Sequence, residues 1–205
     1  MTHRRILGIL PIVAALSALV PADAIACGNV VLATDKAIAT VKEAEKLLND
    51  GNPAEARLKI EALMNGASGF DEQTPSAKGL ANRANRIISL ANVRIDDRKG
   101  EGRRVILGGA VYFLSRIAKD NPNDAAKMTD LGEALAKTNP PKAKKILEDL
   151  AARDIMTTPY AYAALARLRA ADGDEKGRDD AVAKCKQMAK VESICKLEQP
   201  KSGKS

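Results

Sequence analysis

The sequence predicts an all-α fold from its composition, its length and its pattern of turn residues. The 205-residue chain is 45% hydrophobic but only 2% aromatic, with three Tyr, two Phe and no Trp. Its core must therefore be built from Ala, Leu, Ile and Val. β-Sandwiches and barrels favour β-branched and aromatic residues, whereas Ala, Leu, Lys, Arg and Glu favour helices. The length suits one compact domain or a short repeat array, and Gly, Asn and Pro divide it into amphipathic stretches.

The N-terminal segment, residues 1–26, is predicted to be a secretory signal peptide. Arg4 and Arg5 precede an uncharged run over residues 6–20, and small residues follow this run up to Ala26. This order is typical of a signal peptide, and the apolar run is shorter than the ~20 residues that span a bilayer. We therefore expect an exported protein, either periplasmic or secreted.

Cys27 follows directly after two overlapping Ala-x-Ala cleavage sites. The stretch Ala24-Ile25-Ala26-Cys27 resembles a bacterial lipobox, in which the Cys is lipidated. The family pattern prefers Leu at Ala24 and a small residue at Ile25, so ordinary cleavage is the alternative to a membrane-anchored lipoprotein. A lipid on Cys27 is the membrane attachment that we expect, if there is one.

The charge of the mature chain bears on its partners. Removal of residues 1–26 leaves 31 basic and 25 acidic residues, a net charge of +6 that is spread along the chain. Export argues against nucleic acid as a partner, whereas acidic proteins, anionic lipid and polyanionic wall material remain compatible with this charge.

The first two helix pairs follow the N-terminal segment. Residues 37–48 and 54–64 are amphipathic and flank the turn Asn49-Asp50-Gly51-Asn52-Pro53. Gly and Asn end helices well, and Pro suits the first turn of the next helix. The second pair is longer, over residues 76–96 and 103–119, and a Gly-containing linker replaces the tight turn.

The third and fourth pairs reveal a period. Residues 123–138 and 142–153 flank a turn at Asn139, and residues 159–171 and 176–190 flank a turn at Gly173. The two turn residues are 34 positions apart, which is the spacing of one recurring helix pair.

This period and its packing pattern resemble the tetratricopeptide repeat, a helix–turn–helix unit of 34 residues. Small residues such as Gly132 and Ala166 permit close helix packing. Glu43, Arg169 and Arg178 depart from the pattern. The matching residues are Ala44, Leu47, Ala56, Ile60 and Leu63 in the first unit, Met128, Leu131, Gly132, Leu135, Ala143, Leu147 and Leu150 in the third, and Tyr162, Leu165, Ala166, Val182 and Cys185 in the fourth.

The resemblance implies a right-handed solenoid of about four antiparallel helix pairs. This TPR-like domain covers residues 27–196, and a flexible tail follows over residues 197–205. An irregular helical bundle that shares the same local pairs is the alternative.

Cys185 and Cys195 are predicted to form a disulfide, because an exported protein matures in an oxidising compartment. Ten residues of unbroken helix would separate them by ~15 Å, whereas a disulfide needs Cα atoms within ~7 Å. The last helix must therefore end near Lys190 and the chain must fold back. Two unpaired thiols are the alternative.

The sequence also indicates a protein that is not an enzyme. Its one histidine is His3, so a mature chain without residues 1–26 has no His for acid–base catalysis, a catalytic triad or a metal site. We expect no catalytic residue, cofactor or metal. The pair Gly108-Gly109 lies in an apolar run, where we expect close helix packing rather than phosphate binding.

A solenoid curls, so the first helices of its pairs are expected to line a concave groove that binds a protein or peptide. The expected lining is Val41, Glu45, Leu48, Thr129, Glu133, Tyr160 and Arg167. Amides and guanidinium groups can hydrogen-bond a peptide backbone or a carboxylate, so we predict partner binding at Asn82, Asn85, Arg86, Asn92, Tyr160 and Arg167. Two alternatives remain: the Asn stripe is a solvated helix face, or the protein is a structural or assembly lipoprotein that uses terminal or convex surfaces.

Overall fold

The computed structural model of this protein describes residues 22–66, 75–95 and 99–197, with side chains from residue 34 onward. Within these ranges the fold has no strand, so the all-α prediction is confirmed. The elements are α1 (Ala22–Asn49), α2 (Pro53–Gly66), α3 (Pro75–Arg94), α4 (Gly100–Lys119), α5 (Ala125–Leu135), α6 (Pro140–Ala152), α7 (Pro159–Ala171), α8 (Glu175–Met188) and a 3₁₀ turn, Glu192–Cys195.

Two of the predictions fall outside the described part of the chain. The signal peptide lies mostly in residues 1–21, and the tail lies almost entirely in residues 198–205. Lipidation concerns the side chain of Cys27, which is also outside the description. Among the described residues, no helix combines the length and the apolar character that a membrane span requires.

Polar caps set the starts of the later helices. The Asp124 carboxylate accepts hydrogen bonds from two backbone N–H groups of α5, and the Thr158 hydroxyl accepts one from α7. These two caps are 34 residues apart. Asn139 and Asp174 cap α6 and α8 in the same way but are 35 residues apart, because the α5–α6 unit is one residue shorter than the α7–α8 unit.

The helices pack in two rows. Each helix contacts its neighbours in sequence, and α1, α3, α5 and α7 also contact one another in that order; we call these four the odd row. The even row is α2, α4, α6 and α8, whose members do not contact one another within the described residues. This arrangement is compatible with a helical repeat.

One close contact between rows depends on a small residue, as the sequence predicts. A Cβ atom added to Gly132 of α5 would lie 2.6 Å from the Cδ2 atom of Leu147 in α6. Leu147 is fully buried, so it has little room to move. Ala166 is likewise buried where α7 packs in the core. The absence of a larger side chain at these positions sets the helix separation.

The C-terminal segment folds back onto the beginning of the domain. Helix α8 ends at Met188, and Cys185 forms a disulfide with Cys195 across a Cα–Cα distance of 5.8 Å. The predicted bond and chain reversal are therefore present. Beyond α8, Lys190 Nζ donates to Asp50 Oδ1 at 2.5 Å, and Val191 packs against Gly51. The last unit thus contacts the turn between α1 and α2.

Candidate functional site

The odd row is tied together by three arginines of α3. Each one donates two hydrogen bonds to a carboxylate of a neighbouring odd-row helix, which is the strongest ion-pair geometry available to arginine. The pairs are Arg83 with Glu45 of α1 at 2.9 and 2.6 Å, Arg86 with Asp130 of α5 at 2.5 and 3.0 Å, and Arg94 with Glu133 of α5 at 2.8 and 2.9 Å.

Arg94 is the centre of this arrangement. Its side chain is 2% exposed and that of Glu133 is 4% exposed. Its Nη1 also donates to the Leu48 carbonyl oxygen of α1 at 3.1 Å. The guanidinium carbon lies 3.8 Å from the centre of the Tyr160 ring of α7, within cation–π range. One side chain therefore contacts all four helices of the odd row, counting its own.

The electrostatics of this site follow from burial and from opposite charges. Burial acts to lower the pKa of the Arg94 guanidinium, but the charge of Glu133 and its hydrogen bonds outweigh burial and raise that pKa. Burial raises the pKa of the Asp130 carboxyl, and the charge and hydrogen bonds of Arg86 oppose this shift. Burial also raises the pKa of Tyr160, so its hydroxyl stays protonated at neutral pH.

The network made of Arg86, Asp130, Arg94, Glu133 and Tyr160 therefore holds two positive and two negative charges largely away from water. Buried charges are tolerated when they are paired and hydrogen-bonded. The arrangement fixes the relative positions of α3, α5 and α7, and it provides rigid, preorganised donors at its partly exposed edge.

The predicted binding residues occupy different environments in this site. Arg86 and Tyr160 belong to the network, and Arg86 keeps 30% of its side chain exposed. Asn82 and Asn85 are half-buried on α3. The Asn92 side-chain oxygen accepts a 3.4 Å hydrogen bond from Arg57 Nη1 of the even row, so this residue serves helix packing. Arg167 is exposed on α7 and takes no part in the network among the described contacts.

The expected groove lining is wrong at four positions. Val41, Leu48, Thr129 and Glu133 are buried rather than open to a groove. The physical reason is the close packing of the odd row, in which the long Arg94 side chain occupies the space between α1, α5 and α7. Glu45 is half-buried because it pairs with an arginine at the surface.

Two members of the network, Arg94 and Asp130, are not among the residues that the sequence singles out. A signal for them exists in the spacing. Arg83, Arg86 and Arg94 follow one another at intervals of three and eight residues, which places them on one side of α3. Asp130 and Glu133 are three residues apart and therefore neighbours on α5. A basic side and an acidic side on two helices of the same row indicate a salt-bridged interface.

The described part of the chain shows no cluster suited to metal binding. No group of three or more His, Cys, Asp or Glu side chains lies close enough to hold a metal ion there. A groove of about 240 Å³ between α5 and α6 is lined mainly by apolar side chains such as Met128, Ile146 and Ile155. Its walls provide hydrophobic contact rather than reactive groups.

No family model, curated protein or solved structure matches this chain.

Proposed function

We propose that this protein is an exported, non-enzymatic helical repeat scaffold that binds a protein or peptide partner in the cell envelope. The proposal includes the finer architecture, a right-handed solenoid of about four antiparallel helix pairs similar to tetratricopeptide repeats. Its support is the consecutive packing of α1, α3, α5 and α7 and the recurrence of helix caps at 34 residues. In solenoids, one row of helices provides the binding surface.

The observation that carries the proposal is the exposed edge of the odd-row network. The Arg86 guanidinium is held by two hydrogen bonds to Asp130 yet remains partly exposed. A donor that is already immobilised loses little conformational entropy when a partner binds. Asn82 and Asn85 lie one helical turn or less away on α3. Together these groups present amide and guanidinium donors that suit a peptide backbone or a carboxylate.

Composition supports a binding role rather than catalysis. The mature chain would have no His, because the one His of the sequence is His3. Its net charge of +6 after removal of residues 1–26 favours a partner with acidic groups. This protein therefore fits a scaffold that recognises an acidic or extended segment.

The test uses the chain from Cys27 to Ser205 as bait in bacterial envelope extracts. The variant Asn82→Ala with Asn85→Ala removes the amides but leaves the Arg86–Asp130 pair intact. The matched control is Lys142→Ala with Lys145→Ala, which changes two exposed residues of α6 in the even row. Arg86 itself is not changed, because its loss would leave the buried Asp130 unpaired and destabilise the fold.

We expect a partner that wild type and control retain and that the Asn variant loses. With that partner purified, calorimetry should show binding that is weaker by about tenfold for the Asn variant, the loss of one or two hydrogen bonds. Equal affinities for all three proteins would contradict the proposed site.

A second candidate is a structural or assembly lipoprotein that uses terminal or convex surfaces. Large apolar side chains on the even row favour it, because Leu58 of α2 and Tyr112 of α4 are exposed. In the same experiment, this role predicts a partner that depends on even-row residues and is indifferent to Asn82 and Asn85.

A further inference from the structure

Helix α4 has one face that no described part of the chain covers. Leu107, Ala110 and Leu114 point into the core, whereas Val105 is 63% and Tyr112 73% exposed. Between these two lie Gly108 and Gly109. A Cβ atom added to either glycine would meet nothing within 4 Å. The expectation that this pair packs closely against another helix of the same chain is therefore wrong for the described residues.

The two glycines are costly where they stand. A Gly in the interior of a helix is less stable than Ala by about 0.5–1 kcal/mol, and nothing in the described fold requires the missing side chains. A pair of glycines between two apolar side chains is instead a surface that another helix can approach closely. The geometry thus favours contact with something outside the described fold.

The same face is complementary to itself in the antiparallel direction. Val105 and Tyr112 lie at equal distances on either side of the point between Gly108 and Gly109. Glu101 and Arg116 also lie at equal distances from this point, near the opposite ends of the helix. All of these residues share one side of α4, because their spacings of three and four residues follow the helical repeat.

This symmetry determines how a second α4 would fit. In an antiparallel arrangement about a two-fold axis, Glu101 of each chain faces Arg116 of the other, and Val105 faces Tyr112. A parallel arrangement would place Glu101 against Glu101 and Arg116 against Arg116, which is repulsive. Glu101 now pairs with Arg104 at 2.6 Å, but both side chains are highly exposed, and such a surface pair contributes little.

We propose that two copies of this chain associate through α4, packed antiparallel about a two-fold axis between Gly108 and Gly109. The partner is a second copy because the charged ends and the apolar middle match under the two-fold rotation that a symmetric dimer requires. This inference is independent of the binding role of the odd row, since α4 belongs to the even row.

Sedimentation velocity on the chain from Cys27 to Ser205, over a series of concentrations, measures the association. We expect a monomer–dimer equilibrium in the wild type. Glu101→Arg and Arg116→Glu each place like charges together twice per dimer, so each should weaken dimerisation by at least about tenfold. The double variant that combines both changes restores opposite charges and should dimerise like the wild type.

Gly109→Leu tests the close approach of the two helices. Leu favours a helix more than Gly does, and the position is open in the single chain. This variant should therefore keep or raise the melting temperature while it abolishes the dimer. Gly79→Leu is the matched control, because Gly79 lies in α3 and also has open space around its Cβ position; it should leave the dimer unchanged.

Four results would overturn the proposal. They are a wild type that is monomeric at every concentration, a dimer that survives Gly109→Leu, a dimer that neither single charge change weakens, and a double charge variant that fails to recover. A monomer that instead binds anionic lipid vesicles, and loses this binding with Gly109→Leu, would assign the face to a membrane surface.

Discussion

Replacing Arg94 by Met tests whether the buried network holds the odd row together. Arg94→Met keeps the length of the side chain but leaves Glu133, which is 4% exposed, as a buried charge without its partner. Removing one member of a buried ion pair typically costs about 3–5 kcal/mol. For a chain of this size, the melting temperature falls by about 2–4 °C per kcal/mol, so we expect a decrease of roughly 6–20 °C.

Arg83→Met is the matched control. Arg83 is also an α3 arginine that donates two hydrogen bonds to a carboxylate of an odd-row helix, but its pair with Glu45 is 40% and 27% exposed. Exposed ion pairs contribute about 0–1 kcal/mol. The two variants therefore differ mainly in burial, and their difference in stability measures what burial adds to the same hydrogen-bond geometry.

A double variant separates the lost interaction from the stranded charge. Arg94→Met with Glu133→Leu removes both charges, and apolar replacement of a buried pair is often close to neutral. It should be more stable than Arg94→Met alone. Thermal and urea unfolding, followed by circular dichroism, give the three free energies of unfolding. Equal losses for Arg83→Met and Arg94→Met, or a double variant less stable than the single one, would refute this reasoning.

Three further predictions concern other contacts. Gly132→Ala forces a methyl group against the buried Leu147 and should lower the free energy of unfolding by about 1–3 kcal/mol in urea titrations; an unchanged value would contradict the close approach. Arg169 lowers the pKa of Glu148 below its ordinary 4.5, so their pair stabilises the fold above that pH and is lost as pH falls through the lowered pKa. Glu148→Gln should therefore show a smaller decrease in melting temperature on acidification than the wild type, and an equal decrease would exclude this pair as a contributor. Cys195→Ser opens a loop of about ten residues and should cost about 2–3 kcal/mol, whereas a reductant that destabilises the variant as much as the wild type would contradict this origin.

The helices themselves are largely predictable from the sequence, because their signals are local. Asn139 precedes two prolines and caps α6, and Gly173 adopts a positive φ in the turn before α8. Gly132 indicates close packing because a glycine inside a helix costs stability unless a neighbouring helix needs the space. The disulfide follows from the separation of its cysteines in sequence and the need for a chain reversal.

The burial of the odd row is not predictable in the same way. Asp130 and Glu133 are charged, and charged residues are normally exposed unless they are paired. Their partners Arg86 and Arg94 lie about 40 residues away on another helix, so no local pattern reveals the pairing. The sequence therefore predicts a concave surface where the arginines in fact join neighbouring helices.

The contact between Lys190 and Asp50 joins residues that are 140 positions apart. In an open array each unit touches only its neighbours, so the terminal units can unravel separately. Here the two extremities of the domain hold each other, and neither can fray without releasing the other. The array consequently gains the cooperativity of a ring, and its unfolding is expected to proceed as a single event rather than unit by unit.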